Sequence, residues 1–320
     1  MGDLLGDQSK YPFLPQLAHC YLCIPGTRSN YSGMGGILFK ESPLLDRPWR
    51  EIKWGDKAGI LQSVKDHTRC NDDQIIRILL YGPSAAGKSS FINSVHSVLH
   101  GRMYAQALTD NHFGTSFTRK YRTYRIQKQD GSFYPFVFND IMGLGKTDGV
   151  LVDDVKKVLK GHVKDGYRFK TDTEMADDDP FYIQNPTNND KVHVLVCVFD
   201  ADKVSLMEPD ILQKIRNIRA AASELEIPQV VVLTKIDEAC PEIKKDIKCV
   251  YKDKALEKKI DKFSADTGIP WNYIFPVKNY AREIDLNDDI DCLILSVLRN
   301  LINFGEDCIG FRANQSISDD

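Results

Sequence analysis

Short apolar runs alternate with amphipathic stretches from about residue 73 to residue 302. The apolar runs predict strands at 75–81, 120–127, 132–138, 192–199, 229–233 and 272–277. Apolar residues at helical spacing predict helices at 89–95, 150–163, 211–225, 290–302 and, as one or two helices, 241–263. This alternation of strands and helices predicts an α/β domain.

Two of the predicted strands carry information about their neighbours. Asp130-Gly131 lies between strands 120–127 and 132–138, and an Asp-Gly pair in that position predicts an antiparallel hairpin. Residues 192–199 form a nearly unbroken apolar run, which is typical of a central strand covered on both faces. His193 lies in that run, and we interpret it as a packed core residue.

The ends of the chain differ from this domain. Residues 1–72 are rich in Pro and Gly and predict an irregular N-terminal extension. The domain is predicted at 73–310, and 311–320 form a polar tail. Within the domain, 164–190 predict an irregular excursion, whose acidic residues 177–179 are interpreted as a solvated loop.

Composition limits the partners. The chain has 42 basic and 45 acidic residues. The resulting net charge of −3 gives no field that would attract a nucleic acid.

The eight cysteines are scattered along the chain, which indicates reduced thiols and a cytoplasmic location. We interpret Cys20 and Cys23 as free thiols and not as zinc ligands. No apolar run is long enough to predict a transmembrane segment. The many lysines of 241–263 alternate with acidic residues and indicate a solvated helix surface.

The most informative motif is a phosphate-binding loop at 82–89, which fits G-x-x-x-x-G-K-[ST] at every fixed position. It follows a predicted strand and precedes a predicted helix, as its chemistry requires. Its backbone N–H groups and the helix N-terminus favour an anion, Lys88 would reach the β- and γ-phosphates, and Ser89 would bind Mg²⁺. The residues expected around the phosphates are Gly82, Ala85, Ala86, Gly87, Lys88, Ser89 and Ser90.

A second motif, Asp140-x-x-Gly143, follows the strand 132–138. Ligands collect at the carboxyl ends of strands in open α/β sheets. Asp140 would hold Mg²⁺ through water, and the Gly143 N–H would face the γ-phosphate.

A third motif, Thr234-Lys235-Ile236-Asp237, follows the strand 229–233. A carboxylate at Asp237 can accept two parallel hydrogen bonds from the N1–H and the exocyclic amine of guanine, whereas adenine has an acceptor at N1. Lys235 would lie along the purine. The three motifs predict a P-loop domain, similar to GTPase domains, that binds GTP or GDP with Mg²⁺.

The chain resembles translation-factor-type GTPase domains and, more closely, the interferon-induced protein 44 family. The resemblance rests on the three motifs with their flanking residues and on the upstream segment 48–54, and covers about residues 36–310. It implies a cytoplasmic GTP-binding protein of the interferon response with antiviral or immune-regulatory roles. Longer members carry a TLDc-type N-terminal domain, of which 1–72 would be a remnant.

The resemblance also assigns residues. Efficient GTPases have a water-orienting Gln after the second motif, and Leu144 stands there instead, so slow or partner-dependent hydrolysis is expected. His112, Thr115 and Thr118 lie in the segment expected to form the first switch; Thr118 is the preferred third Mg²⁺ ligand, and His112 and Thr118 are the catalytic candidates. The last base-contacting loop, normally Ser-Ala-Lys, reads Pro276-Val277-Lys278-Asn279 here, so only Lys278 offers a partial match.

Two functions stay open on the sequence. In the first, GTP orders the switch segments and a protein partner senses them. In the second, the chain is an immune scaffold whose nucleotide site is structural or vestigial. In either case the protein partner is unknown and would bind through the switch segments or the N-terminal extension.

Overall fold

The computed structural model describes residues 42–67, 74–105, 107 and 119–318, with side chains up to residue 314. A six-stranded sheet forms its centre, in the order β2-β3-β1-β4-β5-β6. The strands are β1 (Ile76–Tyr81), β2 (Arg122–Gln127), β3 (Phe133–Asp140), β4 (Val194–Asp200), β5 (Gln229–Thr234) and β6 (Ile274–Pro276). Every neighbouring pair is parallel except β2 with β3. The prediction of a P-loop α/β fold with a mostly parallel sheet and one antiparallel edge pair is confirmed.

Helices cover both faces of the sheet. They are α1 (Lys57–Lys65), α2 (Lys88–His100), α3 (Val152–Leu159), α4 (Pro209–Glu224), α5 (Ile236–Ala239), α6 (Pro241–Lys245), α7 (Lys254–Thr267) and α8 (Asp288–Ser318). Residues of α3, α4 and α7 form the core on one face, and residues of α1, α2 and α8 form it on the other.

The apolar runs of the central strands follow from this double cover. In β1, Leu79 and Tyr81 belong to the core with α3, α4 and α7, whereas Ile78 and Leu80 belong to the core with α2 and α8. Successive side chains of a strand point to opposite faces, so a strand covered on both sides has no polar alternation. β4 shows the same division, and His193 directly before it is buried, as predicted.

One helix lies where the sequence predicted only irregular structure. In α1, Ile60 and Val64 are buried one turn apart in the core that α8 shares, and Asp56 caps the N-terminus by accepting a hydrogen bond from Gly59 N–H. The helix is short, and the Pro and Gly residues around it dominated the local pattern. Its stability comes from packing against α8 and not from a long amphipathic repeat.

The segment 42–54, here called the strap, runs along the domain before α1 begins. Leu45 N–H donates to Lys252 O at 2.8 Å, and Trp49 N–H donates to Tyr251 O at 3.0 Å. Residues Ser42–Asp320 therefore form one compact unit, which includes 31 residues that precede the predicted start of the domain at 73.

Arg50 fixes the strap beside β6. Its guanidinium donates to Ile274 O at 2.9 Å and to Trp271 O at 3.2 Å. The same group lies 5.5 Å from the ring centre of Tyr251 and 4.9 Å from that of Phe275. A planar cation suits this position because it stacks and donates at once.

The last helix is longer than predicted. α8 continues to Ser318 through most of the predicted tail 311–320. Arg312 holds this end by donating to Val192 O at 3.1 Å and to Leu225 O at 3.4 Å. The tail has no Pro to stop the helix.

The lysine-rich stretch forms α6, a 3-10 turn and α7. Leu256, Ile260 and Phe263 are buried at helical spacing, which confirms the predicted inward face of α7. Lys262 pairs with Asp266 on the solvated side. Such surface pairs contribute little to stability.

Cysteine pairing, metal ligands and membrane-spanning helices can be examined in the described residues. The cysteines within the described ranges are free thiols, namely Cys197, Cys240, Cys249, Cys292 and Cys308. In the described parts of the chain, no group of three or more His, Cys, Asp or Glu side chains could hold a metal ion. None of the helices described here combines the length and apolarity needed to cross a membrane. Cys20 and Cys23 lie outside the described residues.

We expect His193 to make folding sensitive to mild acid. Its Nδ1 accepts a hydrogen bond from Arg77 N–H at 2.9 Å, and burial, with the charges of Arg312 and Arg77, lowers its pKa to about 3. The unfolded chain would bind a proton here below about pH 6.5, where the folded chain does not, so stability falls as the pH falls. From pH 7 to pH 5 this histidine should cost about 2 kcal/mol of the free energy of unfolding.

Urea unfolding at both pH values measures this loss, with His193→Asn as the comparison. Asn can still accept the Arg77 hydrogen bond but does not titrate in this range. The variant should lose about 2 kcal/mol less than the wild type over the same pH interval. An identical loss in both proteins would contradict the assignment.

Candidate functional site

The loop between β1 and α2 passes very close to β4. Gly82 has φ +139°, and a Cβ there would lie 2.0 Å from Val198 O. Gly87, which precedes α2, has φ +93°, and Ala85 has φ +59°. Only glycine fits at Gly82 without moving the strand, so the fixed glycines of the motif have a steric cause.

Neighbouring elements bind the carbonyl groups of this loop. The bonds are Leu144 N–H to Gly82 O at 2.9 Å, Thr234 Oγ1–H to Ala86 O at 2.6 Å and Asn279 Nδ2–H to Gly87 O at 3.2 Å. The carbonyl oxygens are thereby turned toward protein donors. A loop whose carbonyls are engaged in this way presents less negative charge to an anion at its N–H groups.

The last two residues of the motif, the charged Lys88 and the polar Ser89, are both buried. Lys88 Nζ donates to Gly82 O at 3.2 Å and to Pro83 O at 3.0 Å. Ser89 Oγ donates to Asp140 Oδ2 at 2.7 Å. Two of the three residues predicted to bind Mg²⁺, Ser89 and Asp140, are thus adjacent, and their oxygen atoms are the hard donors that this cation prefers.

The second motif packs directly on the loop. A Cβ at Gly143 would lie 2.3 Å from Ser84 Oγ and 2.7 Å from Ser84 Cα. Pro83 and Leu144 form a parallel bridge at this contact. The Leu144 side chain is 2% exposed and belongs to the core with α3 and α4.

The third motif is held by ionic contacts. Lys235 has φ +55°, and its Nζ lies 2.8 Å from Asp200 Oδ2. Asp237 Oδ2 lies 3.7 Å from Lys278 Nζ, which is also 2.9 Å from Glu283 Oε1. Lys278 therefore lies between two carboxylates at the carboxyl end of β6.

The segment 277–283 is ordered by Glu283. It is here called the base loop because it contains Lys278, the residue predicted to contact the base. Ala281 N–H and Arg282 N–H both donate to Glu283 Oε2, at 2.9 Å and 3.0 Å. Burial raises the pKa of Glu283, but these N–H bonds and Lys278 outweigh it and lower the pKa to about 2. Glu283 is charged at all physiological pH values and keeps Lys278 in place.

Most of the predicted site residues lie together at the carboxyl ends of the parallel strands. These are Gly82, Ala85, Ala86, Gly87, Lys88, Ser89, Asp140, Gly143, Thr234, Lys235, Asp237 and Lys278, with Ser90 in the first turn of α2. His112, Thr115 and Thr118 lie outside the described residues.

The sequence motifs did not identify four residues that shape the site. Asp200 is the last residue of β4, just as Asp140 is the last residue of β3. Its position at the carboxyl end of a predicted strand is the signal that could have identified it as a site residue. Asn279, Tyr280 and Glu283 lie outside the motifs and act through tertiary contacts, which no local pattern reveals.

Thr234→Val should destabilise the domain through the loop contact. The Oγ1–H of this buried residue bonds Ala86 O at 2.6 Å, and Phe199 O lies at 3.2 Å. Valine keeps the shape but leaves a buried carbonyl without its donor, at a cost of about 1–3 kcal/mol in the free energy of unfolding. Urea unfolding measures the loss. The exposed Thr173→Val is the matched control and should change stability by less than about 0.5 kcal/mol; equal effects would contradict this role of Thr234.

Curated proteins similar to this chain share one family name. The chain is 35% identical over 248 residues to mouse "Interferon-induced protein 44", which covers 77% of the chain and 58% of that protein. It is 34% identical over 236 residues to the human protein of the same name, with 73% and 53% covered. Human "Interferon-induced protein 44-like" is 31% identical over 235 residues, with 72% and 52% covered. The chain thus spans about half the length of these relatives.

Solved structures give a more distant likeness. A dimerization-deficient mutant of Toc33 from Arabidopsis thaliana is 15% identical, with a TM-score of 0.46 and with 79% of this chain and 93% of that chain covered. Toc33 in complex with GDP and Mg²⁺ has a TM-score of 0.43 at 15% identity, with 78% and 91% covered. No protein-family model matches the chain.

Proposed function

The chain belongs to the interferon-induced protein 44 family, and from this premise we propose that it binds GTP with Mg²⁺ and hydrolyses it slowly. The observation that carries the proposal is that three separate motifs meet at one loop. Ser89 Oγ lies 2.7 Å from Asp140 Oδ2, and Thr234 Oγ1 lies 2.6 Å from Ala86 O. This adjacency supports a single site for phosphate, metal and base.

At the phosphate end, this chain supplies N–H donors and one cation. The backbone of 82–88 and the N-terminus of α2 would bind the β-phosphate, since no side chain caps that helix. Lys88 would exchange its two loop carbonyls for phosphate oxygens. Ser89 and Asp140 would hold Mg²⁺, directly and through water, and the cation would neutralise charge on the phosphates.

At the base end, Asp237 would select guanine. Its carboxylate accepts from the N1–H and the exocyclic amine of guanine, a pair that adenine lacks. Lys278 lies 3.7 Å from this carboxylate and is drawn toward Glu283 at 2.9 Å, which leaves Asp237 able to exchange partners. Lys235, held by Asp200, would lie along the purine.

Slow hydrolysis is supported by the burial of Leu144. A side chain that is 2% exposed in the core and has no polar atom cannot orient an attacking water. In the proposed cycle GTP orders the switch segments, including Thr118, and a protein partner reads them in the cytoplasm during the antiviral response. The burial of Leu144 equally favours a second candidate, a non-hydrolysing immune scaffold whose nucleotide is structural.

Lys88→Ala should weaken GTP binding about 100-fold, because the lost charge-assisted bonds to phosphate are worth about 2–3 kcal/mol. Isothermal titration with GTP, GDP and ATP, each with Mg²⁺, measures the affinities. The exposed Lys53→Ala is the matched control and should bind as the wild type does. If Lys88→Ala bound GTP with unchanged affinity, the phosphate loop would not be the nucleotide site.

Asp237→Asn should exchange guanine for xanthine. Xanthine has a carbonyl where guanine has the exocyclic amine, and an Asn amide can donate to that carbonyl while accepting from N1–H. We expect GTP affinity to fall about 100-fold and XTP affinity to rise by a similar factor. Competition titration of both nucleotides measures the exchange. A wild type that binds ATP as tightly as GTP would contradict the role of Asp237.

A further inference from the structure

We propose that Lys57, Asp291 and Tyr280 form a positioning relay, through which helix α1 sets how firmly the base loop holds guanine. The relay joins α1 to the base loop and α8, which follow one another more than 200 residues later in the chain. It rests on the proposed function, because the base loop matters only if the site binds a guanine nucleotide.

Tyr280 anchors the base loop at two points. Its N–H donates to Ser94 Oγ on α2 at 3.0 Å. Its OH donates to Asp291 Oδ1 on α8 at 2.5 Å and accepts from Asn287 N–H at 2.8 Å. Burial, together with the bond to Asp291, raises the pKa of Tyr280, so the hydroxyl remains a donor.

The residues next to Tyr280 reach the nucleotide site. Asn279 donates to Gly87 O in the phosphate loop at 3.2 Å, and Lys278 lies 3.7 Å from Asp237. Two peptide bonds separate Tyr280 from Lys278. A shift of the Tyr280 ring therefore displaces the side chains that face the guanine-selecting carboxylate.

The far end of the relay is an ion pair whose carboxylate is buried. Asp291 is 0% exposed, and Lys57 Nζ from α1 lies 2.6 Å from its Oδ2 and 2.9 Å from Asp288 Oδ1. A buried carboxylate that loses its cation is strongly destabilised, so it takes up a proton or moves toward water. Either response weakens or displaces the bond that Asp291 accepts from Tyr280.

The effect should fall on the base and spare the phosphates. Three of the contacts that fix the phosphate loop, namely its approach to Val198 and the bonds from Leu144 and Thr234, involve no residue of the relay. A fourth, the Asn279 bond to Gly87 O, adjoins Tyr280, so the loop keeps most of its support when the relay is weakened. The affinity for inorganic Mg²⁺-tripolyphosphate, which has no base, measures binding by the phosphate loop alone. The affinity for Mg²⁺-GTP measures binding by the phosphate loop and the base loop together.

Lys57→Met tests the relay, with the exposed Lys53→Met of the strap as control. We expect the Kd for Mg²⁺-GTP to rise about five- to tenfold in Lys57→Met, while the Kd for Mg²⁺-tripolyphosphate changes less than about twofold. Lys57→Arg should restore most of the GTP affinity. Tyr280→Phe, which removes only the hydroxyl, should weaken GTP similarly, and adding Lys57→Met to it should weaken GTP no further.

Several results would overturn the relay. An unchanged GTP affinity in Lys57→Met would do so, as would equal losses for GTP and tripolyphosphate, which indicate general destabilisation. If Lys57→Met does not fold, Tyr280→Phe decides by the same two titrations. If the wild type bound ATP as tightly as GTP, both the proposed function and the relay would be wrong. If the wild type preferred GTP and Lys57→Met and Tyr280→Phe kept that preference in full, only the relay would be wrong.

Discussion

The contact on which the site depends is the approach of Gly82 to the backbone of β4. A Cβ at this glycine would lie 2.0 Å from Val198 O, so the loop lies against the strand without any side chain between them. This contact sets where the loop leaves β1 and where α2 begins. Because protein interiors are close-packed, a displacement here would move every donor of the loop at once. The order β3-β1-β4 in the middle of the sheet supplies a rigid support on both sides.

The loop is stabilised from several directions by residues that come from different parts of the chain. Leu144 follows β3, Thr234 ends β5, and Asn279 follows β6. Each bond is modest by itself, since a buried hydrogen bond contributes about 1 kcal/mol net. Together they fix the loop before any ligand arrives, which reduces the entropy that binding must overcome. The Asn279 bond also links this loop to the base loop, whereas the other two come from Leu144 and Thr234.

Local patterns were sufficient for features whose cause is local. The Asp-Gly pair at 130–131 sets a two-strand hairpin. The glycines of the 82–89 motif are recognised by their spacing alone, although the contact that requires glycine at Gly82 is made with β4. Features that depend on tertiary contacts could not be read in this way. Helix α1 is stable because Ile60 and Val64 meet α8, which begins more than 200 residues later in the chain. The base loop depends on Glu283 and Tyr280, whose contacts no motif encodes.

Leu144 has a consequence for how this chain can change. Its side chain packs in the core with α3 and α4, so the position after the second motif is part of the hydrophobic interior. A glutamine introduced there would bury an amide without partners, at a cost of about 1–3 kcal/mol. A polar side chain at this position would therefore need compensating changes among its neighbours in α3 and α4. The packing of one leucine thus couples the position after the second motif to the stability of the whole domain.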